Sequence, residues 1–234
     1  MTLSRIAKVA AVAILAGASA LGLWHSTVGA QEAPVIIPPP ALNLPAAGSE
    51  AKAVFAGGCF WGVQGVFQHV KGVKDAVSGY SGGSADTAQY EMVGTGQTGH
   101  AETVEITYDP SVVSYGQLLQ IFFSVATNPT QLNYQGPDHG TQYRNAIFYQ
   151  SAEEKQVAEA YIAQLDAAKL YPAPIVTTLE PFAAFFPAEQ YHQDFLTLNP
   201  TWPYIVINDL PKVMALQELF PKVWQEKPVL VGML

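Results

Sequence analysis

The chain has 234 residues, 49% of them apolar and 13% charged, which excludes an intrinsically disordered polymer and allows one substantial domain or two small ones. Its 11 basic and 19 acidic side chains leave a formal net charge of −8 without any Lys/Arg-rich stretch, which argues against a binder of nucleic acid or of acidic membrane surfaces. A single cysteine excludes a disulfide framework and a cysteine-cluster metal site within one chain, while leaving room for a reactive thiol.

The N-terminus reads as a targeting segment. Arg5 and Lys8 precede an apolar run over 9–23, and Val28-Gly29-Ala30 stands before Gln31. A short positive start, an apolar run and a small-x-small ending predict a signal peptide over 1–30. The run falls short of the ~20 residues that span a bilayer, so an uncleaved anchor is the lesser alternative. The expected compartment is a bacterial periplasm, an oxidising space in which an unpaired cysteine calls for a chemical explanation. Residues 31–50, with Pro38-Pro39-Pro40, read as an extended tether with little packing.

From Ala51 the pattern is that of a folded unit. Residues 51–56 are a short apolar run ending in Gly57-Gly58, a buried strand by length and flank. In 59–70, Phe60, Val63, Val66, Phe67 and Val70 recur at helical spacing. Residues 73–80 alternate like a strand and meet a glycine-rich loop over 79–83, and 103–108 alternate again up to Asp109-Pro110. Leu118, Leu119, Phe122 and Val125 stripe a helix over 115–125, and a long polar loop fills 128–143. A strand over 145–149 leads to a helix opened by Ser151 as N-cap with Glu153 and Glu154 in its first turn, and a last strand is predicted over 175–179. The segment 208–224 reads as a turn and a covering helix.

This order does not alternate strand and helix regularly. It predicts an α+β fold, a two-layer sandwich with a mixed, mostly antiparallel sheet and flanking helices. The expected partition is a leader over 1–30, the tether over 31–50, the main folded unit over 51–212, and a C-terminal helix and tail over 213–234.

Cys59 sits where the first strand ends in two glycines and a helix begins. Free N–H groups and partial positive charge at a helix N-terminus favour a thiolate, so its pKa is expected below the ordinary thiol value. The bland alternative is a small buried hydrophobe. Phe60 and Trp61 follow directly; Phe60 lies on the helix's inner stripe, whereas Trp61 falls off it, which favours a surface or pocket role for the indole.

The hexapeptide Gly57-Gly58-Cys59-Phe60-Trp61-Gly62 resembles peptide methionine sulfoxide reductase A, a family that reduces the S epimer of methionine sulfoxide. The resemblance continues in order through Val77-Ser78-Gly79-Tyr80 with Gly82-Gly83, Thr98-Gly99-His100-Ala101-Glu102, Tyr108-Asp109-Pro110, residues 135–144 from Gln135 to Arg144, and Tyr191-His192-Gln193. It covers about residues 51–212 and implies a ferredoxin-like sandwich. By this resemblance Cys59 is the nucleophile and Glu102 the general acid, Tyr90 and Tyr143 hydrogen-bond the sulfoxide oxygen, Asp138 supports the site, and Phe60 and Trp61 wall the methyl group. Two departures from the family pattern, Gln64 for a common Glu and Thr87-Ala88-Gln89 for Asn-Pro-Thr, touch none of these residues.

The resemblance also implies that oxygen transfer leaves a sulfenic acid on Cys59. Many relatives then use a second cysteine; here the matching stretch reads Asn199-Pro200-Thr201-Trp202-Pro203-Tyr204-Ile205-Val206-Ile207-Asn208-Asp209-Leu210-Pro211, like the branch that lacks it. An external thiol reductant, a thioredoxin- or glutaredoxin-like donor, is therefore expected as partner alongside oxidised protein substrates. No metal, other cofactor or nucleic acid is expected, and the protein is expected to be a monomer. Two rivals differ in consequence: a cysteine peroxidase has no need of Glu102, and a binding module for methionine-rich segments loses little with Cys59→Ser. A Cys–His hydrolase pair using His100, His139 or His192 lacks a supporting local pattern.

Overall fold

Strand β1 (Ala51–Gly57) is buried on both faces. Ala53 and Phe55 face the main core, while Val54 and Ala56 face a smaller cluster with Ala101, Ala146 and Phe148 that Phe182 and Phe185 cover. In this computed structural model, which describes residues 34–231, the chain then forms α1 (Phe60–Gln68), β2 (Val73–Ser81), α2 (Tyr90–Val93), β3 (Ala101–Tyr108) and α3 (Tyr115–Ile121). There follow β4 (Tyr134–Gln135), β5 (Asp138–His139), β6 (Asn145–Tyr149), α4 (Ala152–Ala168), β7 (Thr178–Pro181), β8 (Phe186–Pro187), α5 (Phe195–Leu198) and α6 (Leu210–Leu219). The expected leader over 1–30 lies outside the described residues.

The six-stranded sheet runs β7-β6-β1-β3-β2-β8, with every pairing antiparallel except β6 with β7. The α+β class with a mixed, mostly antiparallel sheet and flanking helices is thus the fold adopted. Register places Tyr80 of β2 opposite Glu102 of β3, and Gly57 of β1 opposite Asn145 of β6.

Local chemistry fixes the helix starts. Ser114 caps α3 by accepting the Gln117 N–H while the Gln117 side chain reaches back to the Ser114 N–H, a reciprocal capping box. Ser151 caps α4 by accepting the Glu154 N–H, with Glu153 and Glu154 set against the helix dipole. Helix α3 continues as a π-helical turn, Phe122–Ala126, whose side chains are all buried.

Two expectations are corrected. The last expected strand, 175–179, is shifted to Thr178–Pro181, because Ile175 donates its N–H to Asp166 and Val176 donates to the Pro129 carbonyl, so neither joins the ladder. The Pro/Ala-rich segment is not a loose tether over its described part, 34–50. Ile37 is buried, Val35 exchanges hydrogen bonds with Ser124, and the carbonyls of Ile37, Pro38 and Pro39 accept from Gln120, Tyr161 and Gln164. Prolines donate no N–H, so an extended strap held through its carbonyls is what this composition can form.

Candidate active site

Cys59 is the N-cap of α1, and its side chain makes no capping hydrogen bond. The preceding Gly58 has φ of +91°, and a Cβ there would run into the Gln135 side chain, so only glycine lets the strand turn into the helix this closely under the β4 segment. Gln135 is itself fixed, donating to the Asn128 carbonyl and accepting the Asn128 N–H.

The expectation of a depressed thiol pKa is overturned. Cys59 is 8% exposed, and burial pushes its pKa well above the ordinary thiol value, with the carboxylates of Asp209, Glu102 and Asp138 pushing further the same way. The Trp61 backbone N–H opposes them but does not prevail. Helix-end polarity is worth ~0.3–1 kcal/mol, whereas removing an anion from water costs several. The resting sulfur is therefore a thiol.

Glu102, near the start of β3, is buried, and its carboxylate Oε2 accepts the Phe60 N–H at 3.0 Å, the first amide of α1 beyond Cys59. Burial raises its pKa to about 8, Asp138 and Asp209 add to the rise, and the Phe60 N–H works against it. At neutral pH the group holds its proton, as a general acid must.

The remaining expected residues gather on the same side. Tyr90 opens α2, and its backbone N–H donates to Glu189, whose other oxygen accepts the Tyr80 hydroxyl, so one carboxylate ties α2 to β2. The Tyr90 phenol is pushed up to about 12 by burial and by Glu102 and Cys59; that of Tyr143, in the short turn Thr141–Tyr143, rises further for the same reasons. Both phenols are neutral donors over the working range. Asp138, on β5, accepts the Tyr204 hydroxyl.

The two aromatics after Cys59 differ. Phe60 is 1% exposed and packs on Tyr80 and His192 at ring separations of 5.9 and 5.1 Å, as core. Trp61 is half-buried, stacked on Phe195 at 3.9 Å and edge-on to Tyr204, and its indole N–H donates to His192 Nδ1. The histidines are accounted for: His100 bonds the Ser84 carbonyl and the Gly83 N–H, and His139 stacks on Tyr134. Gln64 links Ala76, Gln193 and Asp194, a structural use of the position. Among the described residues no group of three or more His, Cys, Asp or Glu is arranged to hold a metal ion.

Two residues not singled out from the sequence, Tyr204 and Asp209, complete the site together with His192, a candidate there only for a hydrolase pair. Tyr204 and Asp209 lie in the C-terminal segment and face the thiol electrostatically, and His192 presents a buried Nε2 that has no partner among the described residues, beside Trp61 and Tyr90. The sequence signal for Tyr204 and Asp209 is the stretch after Asn199-Pro200, which contains both residues where many relatives carry a second cysteine.

A family model described as peptide methionine sulfoxide reductase matches residues 51–225. The peptide methionine sulfoxide reductase MsrA 2 of Mesorhizobium japonicum is 73% identical over 186 residues, 80% of this chain and 95% of the relative. Its namesake from Synechocystis is 52% identical over 79% of this chain and 88% of the relative. Among solved structures, reduced Mxr1 from Saccharomyces cerevisiae is similar at 31% identity with a TM-score of 0.59, over 69% of this chain and 91% of that one. Methionine sulfoxide reductase A of Corynebacterium diphtheriae is similar at 31% identity with a TM-score of 0.57, over 74% of this chain and 88% of that one. The chain belongs to the peptide methionine sulfoxide reductase family as an oxidoreductase of methionine sulfoxide.

Proposed function

We propose that Cys59 takes the oxygen of an S-configured methyl sulfoxide, in peptide-bound or free methionine sulfoxide, and that Glu102 protonates that oxygen as it leaves carbon-bound sulfur. The sulfur of Cys59 attacks the sulfoxide sulfur, Glu102 gives its proton to the oxygen, and the thiol proton restores Glu102. The oxygen passes to Cys59 as a sulfenic acid and the thioether is released: one thiol and one sulfoxide give one sulfenic acid and one sulfide. Tyr90 and Tyr143 donate to the oxygen without adding charge, Trp61 with Phe60 behind it receives the methyl group, and Asp138 orients the site through Tyr204. A chiral sulfur satisfies the oxygen donors and the methyl wall together in one configuration only.

The observation that carries this reading is the buried Glu102 carboxyl bonded to the amide adjoining Cys59, where burial raises its pKa to about 8. With one cysteine in the chain, the sulfenic acid is resolved by an outside thiol. The first thiol forms a mixed disulfide with loss of water, and a second thiol displaces it and regenerates Cys59. A thioredoxin- or glutaredoxin-like donor fits that chemistry. Export to a periplasm, supported by the pattern over 1–30, places the enzyme where it repairs oxidised envelope proteins. A ferredoxin-like description is supported by the order β6-β1-β3-β2 with α1 and α3 as the two crossovers.

Cys59→Ser tests the reading with dithiothreitol and a methyl sulfoxide peptide. Turnover is expected to vanish, and wild-type protein given one equivalent of sulfoxide without reductant is expected to form a dimedone adduct at Cys59. Normal turnover by the serine variant overturns the assignment.

A further inference from the structure

Asp209 closes the π-helical turn Ile205–Asp209, stands at the N-cap position of α6 without a side-chain capping bond, and is completely buried. Among the described residues neither carboxylate oxygen has a hydrogen-bond partner, and Lys212 Nζ stands 3.7 Å from Oδ1. A buried carboxylate so thinly supported is expensive, and the chain nevertheless makes room for it. A Cβ at Gly62 would run into Oδ1, so the carboxylate occupies a notch in α1 that only glycine leaves open. Gly62 is one helical turn from Cys59.

The groups that face Asp209 are few. Lys212 on α6 favours its charge and Asp138 on β5 opposes it, and the charge of Asp209 acts in turn on Cys59, Glu102 and Tyr204. We propose that Asp209 is a positioning residue of this site: from the notch at Gly62 its carboxylate opposes negative charge on the Cys59 sulfur, so that the nucleophile ionises more readily when that carboxylate is neutralised. Burial first, and Asp138 second, bring the Asp209 titration up to about 6, so the opposition is in force at neutral pH and relaxes on acidification or closer pairing with Lys212. A thiol held protonated resists alkylation and oxidation in an oxidising compartment while remaining one proton transfer from use. The inference rests on Cys59 as the nucleophile of the proposed reaction.

The test is the rate of Cys59 alkylation by iodoacetamide in the full chain between pH 6 and 10, read by mass spectrometry. Asp209→Asn is expected to move the profile toward lower pH by about one unit, making alkylation at pH 8 about tenfold faster. A profile superimposable on wild type, in a variant folded by circular dichroism, overturns the proposal; a merely structural role lowers the melting temperature without moving the profile. Should Asp209→Asn not fold, Lys212→Met, at a partly exposed side chain, removes the neighbouring cation and leaves the carboxylate. Alkylation at pH 8.5 is then expected to slow about threefold, and an unchanged or faster rate overturns the proposal. Alkylation involves no sulfoxide, so failure here leaves the Cys59→Ser result to judge the reaction separately.

Discussion

The backbone N–H of Phe60 donates to Glu102 across 3.0 Å, joining the first turn of α1, next to Cys59, to the start of β3. The bond holds the carboxyl beside Cys59 and moderates, without cancelling, the rise that burial gives its pKa. A carboxyl titrating at about 8 is an acid at neutral pH and a spent one above it. Reduction is therefore expected to be fastest below about pH 8 and to fall as pH rises through it. Glu102→Gln, which keeps the shape but cannot give a proton, is expected to lose roughly 10²–10⁴ in single-turnover rate together with that alkaline limb. A variant that retains the limb removes Glu102 as the acid.

The same shift has a consequence for stability. The folded carboxyl binds its proton more tightly than the unfolded one, so between about pH 4.5 and 8 the native state carries more protons. Stability then declines as pH rises across that window, since the slope follows the difference in protons bound by unfolded and native states. Glu102→Gln is expected to remove this part of the decline, so that its melting temperature gains on wild type between pH 5 and 8. A constant difference between the two melting curves would count against a buried neutral carboxyl.

Tyr204 donates its hydroxyl to Asp138, and that bond holds the Asp138 pKa below where burial alone would put it. Tyr204→Phe leaves a partly buried carboxylate short of a donor, at a cost of about 1–3 kcal/mol while it is ionised. The stabilisation from this bond is present at high pH and is lost as pH falls and Asp138 takes a proton. The variant's deficit in urea unfolding is therefore expected to be larger at pH 8 than at pH 4. An equal deficit at both pH values would mean that lost packing of the ring is the whole effect.

What the sequence made legible follows from how local each signal is. Strand β1 and helix α1 were readable because an apolar run, two glycines and a 3.6-residue stripe are local patterns. Glu102 was readable only through a motif, since nothing local distinguishes a buried strand carboxyl from an exposed one. The direction of the Cys59 pKa was misread because helix polarity is visible in the sequence, whereas the desolvation and carboxylates that outweigh it come from β3, β5 and the C-terminal turn. The strap over 34–50 was misread for the same reason: its composition speaks of an extended backbone, and the partners Gln120, Tyr161 and Gln164 that hold it lie far along the chain.

That strap makes its own prediction. Ile37 inserts among the core residues, and Ile37→Ala is expected to cost about 2–4 kcal/mol in urea unfolding, in the range of buried large-to-small changes. Tyr161→Phe, which removes one donor to Pro38 and keeps the ring, is expected to cost about 1 kcal/mol. Neither residue touches the site, so reduction per folded molecule is expected to be unchanged. A loose segment would give no loss for Ile37→Ala.

Gly58 carries the sharpest backbone constraint on the chemistry. Its φ of +91° lies in the region that side chains disfavour, and any Cβ there meets Gln135, whose amide is already bonded on both sides to Asn128. Gly58→Ala must either push Gln135 out and break those bonds or unwind the turn that presents Cys59. Backbone strain of about 1–3 kcal/mol is the smaller part of the cost, and displacement of the nucleophile is the larger. Single-turnover reduction is expected to fall at least about a hundredfold while circular dichroism retains the helix and sheet content. Gln135→Gly in the same background removes both colliding atoms, the Gln135 Cβ and Cγ, but leaves the positive φ, and is expected to return part of the rate. Wild-type turnover in Gly58→Ala alone would show that the site tolerates movement of Cys59, and with that the tight strand-to-helix junction would lose its place in the mechanism.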